Sequence, residues 1–119
     1  MINVGSGSGE KDGEEEKLAL EYIKAAASGQ RIKILRWCSQ NEGMDTRAAS
    51  AFTDAAFRVL GDMICGRRNN MGLQLKELMR LSGLISQCSE YLKVNVGVKH
   101  IFGLLAVDSI VSTRKEELN

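Results

Sequence analysis

Apolar side chains recur along most of this chain at spacings of three and four, the period of one face of an α-helix. Leu18, Tyr22 and Ala25 or Ala26 share one face of a helix predicted from about Glu14 to Ala27, which Ser28-Gly29 ends, with Gly29 free to adopt a left-handed cap. A second helix is predicted from about Gln30 to Gln40, on Ile34, Trp37 and Cys38, with Ile32 and Leu35 widening the stripe. Asp45 or Thr46 caps a long third helix, in which Ala49, Phe52, Ala56, Val59 and Met63 follow one another while Arg47, Asp54, Arg58 and Asp62 fall mostly opposite. The small residues Ala48, Ala49, Ala51, Ala55 and Ala56 give a neighbouring helix room to come close. The fourth helix, about Gly72 to Val94, carries the cleanest stripe: Leu78, Leu81, Ile85, Cys88 and Leu92. Gly83 lies inside it at a cost of about 1 kcal/mol relative to alanine, which predicts a close helix contact or a break. The last helix, about Val98 to Glu117, is apolar nearly all round from Ile101 to Val111, and such a helix is expected at the centre of a domain. No stretch alternates with period two. The pattern predicts an all-α fold, a single compact antiparallel bundle of about five helices.

Composition changes this picture at one end only. Residues 1–13 carry Gly5, Gly7, Gly9 and Gly13 among polar residues and read as a flexible Gly/Ser-rich tail or linker, leaving residues 14–119 as the helical domain. Glu14, Glu15 and Glu16 suit the first turn of a helix, where carboxylates meet the positive end of the helix dipole. The chain has no proline, which fits long uninterrupted helices, and its 44% hydrophobic content is enough for a real core. With 16 basic and 15 acidic residues it is not built to coat nucleic acid or an anionic membrane. Once the acidic start, residues 1–16, is set aside, 15 bases and 10 acids remain, an excess of +5.

Chemistry-bearing motifs are scarce. The GSGSG run precedes no lysine with a following Ser or Thr, so it is no phosphate-cradling loop. One histidine, His100, and three widely spaced cysteines, Cys38, Cys65 and Cys88, make neither a metal-ligand spacing nor a Cys/His or Ser/His/Asp arrangement. The thiols read as reduced and mostly buried, as in a cytoplasmic protein. The longest apolar run, Ile101 to Val107, is far short of the about 20 residues of a membrane helix, and the start has no secretory h-region. Asp108 interrupts the most apolar helix and reads as its polar edge or as a partner for an arginine; Trp37 reads as a core anchor before an interface residue. Residues 75–95 superficially suggest a helix-turn-helix about Gly83, although its second half, Ser86 to Lys93, would offer bases no arginine. The expectation is a non-enzyme with no catalytic, cofactor-binding or metal-ligating residue and no cofactor. A helix-turn-helix DNA-binding domain and a free-standing helical adaptor stand as the alternatives.

The segment LALEYIKAAASGQRIKILRWCSQ is a helix, a Ser-Gly break, a basic residue and a second helix carrying the tryptophan. It resembles the opening of the C-terminal collar domain of bacterial DNA polymerase III clamp-loader subunits, most of all the delta-prime type. AASAFTDAAFRVLGDMI fits the long third element, and LISQCSEYLKVNVGVKHIFGLLAVDSIV is similar to the family's closing segment, a helix, an Asn-x-Asn-Pro turn and a final apolar helix. The resemblance covers roughly residues 17–112. Of the turn only Asn95 matches, with Gly97 and Val98 where the family usually has Asn and Pro. The resemblance implies a non-catalytic scaffold for DNA replication, packing against the equivalent domains of other subunits, tau/gamma and delta, with any ATPase module N-terminal to it. Independently of the resemblance, the lack of a membrane-length apolar run predicts no membrane association, and the one base and one acid of Ser86 to Lys93 predict no sequence-specific DNA binding by this domain.

Overall fold

Helix ends in this protein are set by turn chemistry that the chain supplies at each junction. The computed structural model describes residues 3–113, with side chains from 13 to 111. Five helices follow in order: α1 (Asn3–Ala27), α2 (Arg31–Asn41), α3 (Thr46–Ile64), α4 (Leu75–Lys93) and α5 (Val98–Thr113), with no strand among the described residues. After α1, Gly29 takes φ 71° and its N–H donates to the Ala26 carbonyl at 3.2 Å, a left-handed stop that a Cβ would resist. Asp45 caps α3, its Oδ1 accepting from the Ala48 N–H at 2.8 Å. Before α4 the Gln74 N–H donates to Glu77 Oε1 at 2.8 Å, half of a capping box.

The stripes of α3 and α4 bury as the periodicity requires. α3 buries Ala49, Phe52, Ala55, Ala56, Val59, Leu60 and Met63 and packs against α1 on one side and α4 on the other. α4 buries Leu78, Leu81, Leu84, Ile85, Cys88 and Leu92 and also meets α5, which in turn packs on α2 and α1. The alanines of α3, Ala49, Ala55 and Ala56, lie on its buried side, where side chains that end at Cβ let neighbouring helices approach.

Four expectations are corrected here. α5 is not enclosed on all sides: it packs against α4, α2 and α1, but Leu104, Val107 and Val111 lie on an outer face that no other helix covers among the described residues. Its sequence is apolar all round because it has two apolar faces, of which the bundle uses one. Ile32 and Leu35 do not widen the buried stripe of α2: both are exposed, because only one side of that short helix meets the bundle. Gly83 marks neither a break nor a close contact, since α4 is continuous through it, the residue is exposed, and nothing lies within 4 Å of the position a Cβ would take. α1 begins at Asn3, not near Glu14. Once a helix is nucleated, each added residue brings its own backbone hydrogen bond, which offsets part of the glycine cost. Met1 and Ile2 lie outside the described residues, as does the Arg114–Glu117 turn expected to close the last helix.

Candidate interaction surface

The aromatic residues converge inside the bundle. Trp37 sits 5.3 Å from Tyr22, 5.1 Å from Phe52 and, nearly parallel, 5.5 Å from Phe102, measured between ring centroids. Tyr22 and Phe52 meet edge to face at 5.9 Å. Four helices, α1, α2, α3 and α5, each supply one ring, so the cluster fastens α2 and α5 to the α1–α3 pair. At 6% exposure, Trp37 is a core anchor and unavailable to a partner. Its Nε1 is buried without a hydrogen-bond partner in the structure.

Polar groups in this interior are held in unreactive states. Tyr22 Oη and Ser109 Oγ are 2.6 Å apart, and burial pushes the phenol well above its ordinary range, the Ser109 bond opposing only part of that rise. Burial pushes the Cys38 thiol up to about 12, with Cys88 and Glu42 adding to it. The same cause, with Asp108 second, pushes the Cys88 thiol up to about 11. Thiols raised in this way are protonated at neutral pH and are poor nucleophiles. The third thiol departs from the buried expectation: Cys65 is exposed at the end of α3.

The residues singled out for chemistry are not brought together. His100 and Asp108 are both exposed on α5, and no group of three metal-ligating side chains forms among the described residues. Asp108 is the polar edge of its helix, as read from the sequence. The segment 75–95 holds one unbroken helix, Leu75–Lys93, and therefore no helix-turn-helix. On that helix Lys93 is spent on Glu90, at 3.7 Å. None of the described helices is long and apolar enough to cross a membrane.

What remains is surface. Leu104, Val107 and Val111 stand at spacings of three and four along the outer side of α5, with Val107 58% and Val111 61% exposed. His100 and Gly103 continue that side toward the start of the helix. On α2, which packs against α5, Ile32 and Leu35 are exposed as well. A second feature is a groove walled by α1, α2 and the α3–α4 turn, its lining including Leu20, Ala27 and Met71. Periodicity found the apolar residues of α5 but not their direction. The groove was out of reach of the pattern, because Met71 enters it from a turn far along the chain. No protein-family model, curated protein or solved structure matches this chain.

Proposed function

We propose that this domain is a non-catalytic oligomerisation scaffold of the clamp-loader collar type, delta-prime-like, packing in DNA replication against the corresponding domains of tau/gamma and delta subunits. The observation that carries the reading is the outer face of α5. Its inner face holds Ile101, Phe102 and Leu105 in the core, while Leu104, Val107 and Val111 meet water. Burying an aliphatic side chain of this size stabilises by about 1.5–3 kcal/mol, so this face has a substantial gain to realise on association. The sequence resemblance supplies the partners; the apolar face supplies the means. No side-chain cluster described above competes for an enzymatic role.

The test mixes the chain with tau/gamma and delta subunits and, separately, with duplex DNA, and follows both by size-exclusion chromatography and fluorescence anisotropy. The expected result is a subunit complex that persists as salt is raised, because apolar contacts are not screened, and that Val107→Asp with Val111→Asp disrupts. Tight DNA binding with a preferred sequence and no subunit complex would reverse the reading.

A further inference from the structure

The groove between α1, α2 and the α3–α4 turn has properties that the outer face of α5 lacks. Its floor is apolar, made by Leu20 and Ala27 of α1 and by Met71. Its rim carries Lys17 and Lys24, two helical turns apart on α1, and Lys33 on α2. Only one carboxylate, Glu21, stands among them. None of the three ammonium groups forms an ion pair among the described residues, whereas Arg67, Arg68 and Lys93 all do. The groove thus holds unspent positive charge around an uncovered apolar strip.

Its far wall is built to stay in place. Met71 has φ 55°, a left-handed conformation unusual for a side chain of its size. Two asparagines hold the turn: Asn69 Oδ1 accepts from the Met71 N–H at 2.7 Å and Asn70 Oδ1 from the Gly72 N–H at 3.0 Å. Gly72, at φ 83°, follows in a conformation that glycine tolerates best. The turn is then tied to α1 itself by Arg68, whose Nη2 donates to Glu16 Oε2 at 2.7 Å. The wall is therefore fixed against the helix that carries the lysines.

We infer that this groove docks an acidic amphipathic segment of a partner protein, one or two of its apolar side chains lying on Leu20, Ala27 and Met71 while its carboxylates meet Lys17, Lys24 and Lys33. Charge complementarity selects an acidic occupant, and lysines are suited to it because a flexible ammonium can follow carboxylates without imposing a fork geometry. The floor selects against nucleic acid, whose phosphate backbone would satisfy the lysines and leave the apolar strip uncovered. A second copy of the chain offers its acidic residues Glu14 and Glu21 on the same helix that carries Lys17 and Lys24, so that pairing would rest on surface ion pairs, each worth little alone. The inference does not depend on the clamp-loader reading, since the groove and the outer face of α5 are separate surfaces.

The test uses a fluorescein-labelled synthetic helix-forming peptide with leucines at i and i+4 and glutamates flanking them, titrated with the full chain and followed by anisotropy. Saturable binding is expected, weakening as salt rises and falling about tenfold or more in Lys17→Glu with Lys24→Glu. Met71→Gln should weaken it several-fold without changing the salt dependence. Val107→Asp with Val111→Asp should leave it unchanged, so a lost subunit complex and a lost peptide complex are read apart. Failure of the peptide to bind would overturn the proposal. So would equal binding of a peptide with lysines in place of its glutamates, binding unaffected by the lysine reversals, or tighter binding of duplex DNA at the same lysines. Self-association that masks the groove and is abolished by the same reversals would assign it to a second copy and overturn it as well.

Discussion

α3 and α5 are both rich in apolar residues, and the bundle treats them in opposite ways. α3 alternates an apolar side with a largely charged one: Arg47, Asp54 and Arg58 are exposed, with Phe57 the one large apolar residue among them, while Phe52, Ala55, Ala56, Val59 and Leu60 are buried. α5 is more apolar in sequence, yet Val107 and Val111 are exposed. The difference teaches that hydrophobic content does not decide how much of a helix the bundle covers. The placing of the neighbours decides it. α3 packs against α1 and α4 with the side that carries Ala49, Ala55 and Ala56, whereas α5 packs against α4, α2 and α1 with Ile101, Phe102 and Leu105 and carries Leu104, Val107 and Val111 beyond their reach. Apolar residues beyond what the interior can absorb then remain on the outer face.

The largest expected effect breaks the buried side of α3 and leaves the outer face of α5 alone. Phe52 touches three other rings, those of Tyr22, Trp37 and Phe102, and is wholly buried. Phe52→Ala should cost about 3–5 kcal/mol, by lost transfer free energy and the cavity left between helices. Val107→Ala, on the outer face of α5, should change stability by less than about 0.5 kcal/mol. Urea denaturation of both variants checks the contrast. Equal losses would mean that the outer face of α5 is buried within the folded chain after all.

Next comes the interior's response to alkali. Tyr22, Cys38 and Cys88 all keep their protons longer in the folded chain than in the unfolded one, chiefly because they are buried. Below the ordinary thiol value of about 9 these groups are protonated in both states and add no pH dependence of their own. Above it the unfolded chain releases protons while the folded chain retains them until about 11 at Cys88 and about 12 at Cys38. The unfolded state then binds fewer protons, so stability must fall as pH rises through that window. The urea midpoint should drop steadily above pH 9, and Cys38→Ala with Cys88→Ala should flatten the slope, whatever the double substitution does to stability at pH 7. A slope unchanged in that variant would show that these thiols do not titrate differently on folding.

The helices themselves were legible in the sequence because period, caps and turn glycines agree. Gly29 adopts the positive φ expected of it, Asp45 the cap, and Leu78, Leu81, Ile85, Cys88 and Leu92 the buried line. Direction was less legible. Ile32 and Leu35 obey the spacing of α2 yet face water, since periodicity reports that a helix has an apolar face but not whether a neighbour exists to cover it. The lysine-rimmed groove was illegible for a different reason. It depends on Met71 being carried to α1 by a turn whose shape comes from Asn69, Asn70 and Gly72 and whose anchor is the ion pair from Arg68 to Glu16, residues 52 apart in sequence. No local pattern encodes such a juxtaposition. The functional reading carries the same mark: the resemblance suggests partners, while the surface proposed to meet them is visible only once one face of α5 is seen to be uncovered.

The smallest effect sharpens the comparison at two glycines. Gly61 lies inside α3 and Gly103 inside α5, and at neither does anything come within 4 Å of the place a Cβ would occupy. Each therefore carries the backbone-entropy cost of a helical glycine, about 0.5–1 kcal/mol relative to alanine, with no packing inside the chain to require it. Gly61→Ala and Gly103→Ala should each raise stability by about that amount, by reducing the freedom of the unfolded chain and without touching a neighbour. Because the two sites lie on different helices with no shared cavity, the double variant should gain close to the sum. Thermal and urea unfolding of the two single variants and the double measure this. Under the proposed assembly the two helices part company. Gly103 borders Leu104 on the outer face, so if that face seats a partner helix closely, Gly103→Ala should weaken the subunit complex while strengthening the isolated domain. Gly61→Ala should strengthen the domain and leave the complex as it was. A stabilised Gly103→Ala domain that assembles undiminished would place the partner's contact farther along α5, toward Val107 and Val111.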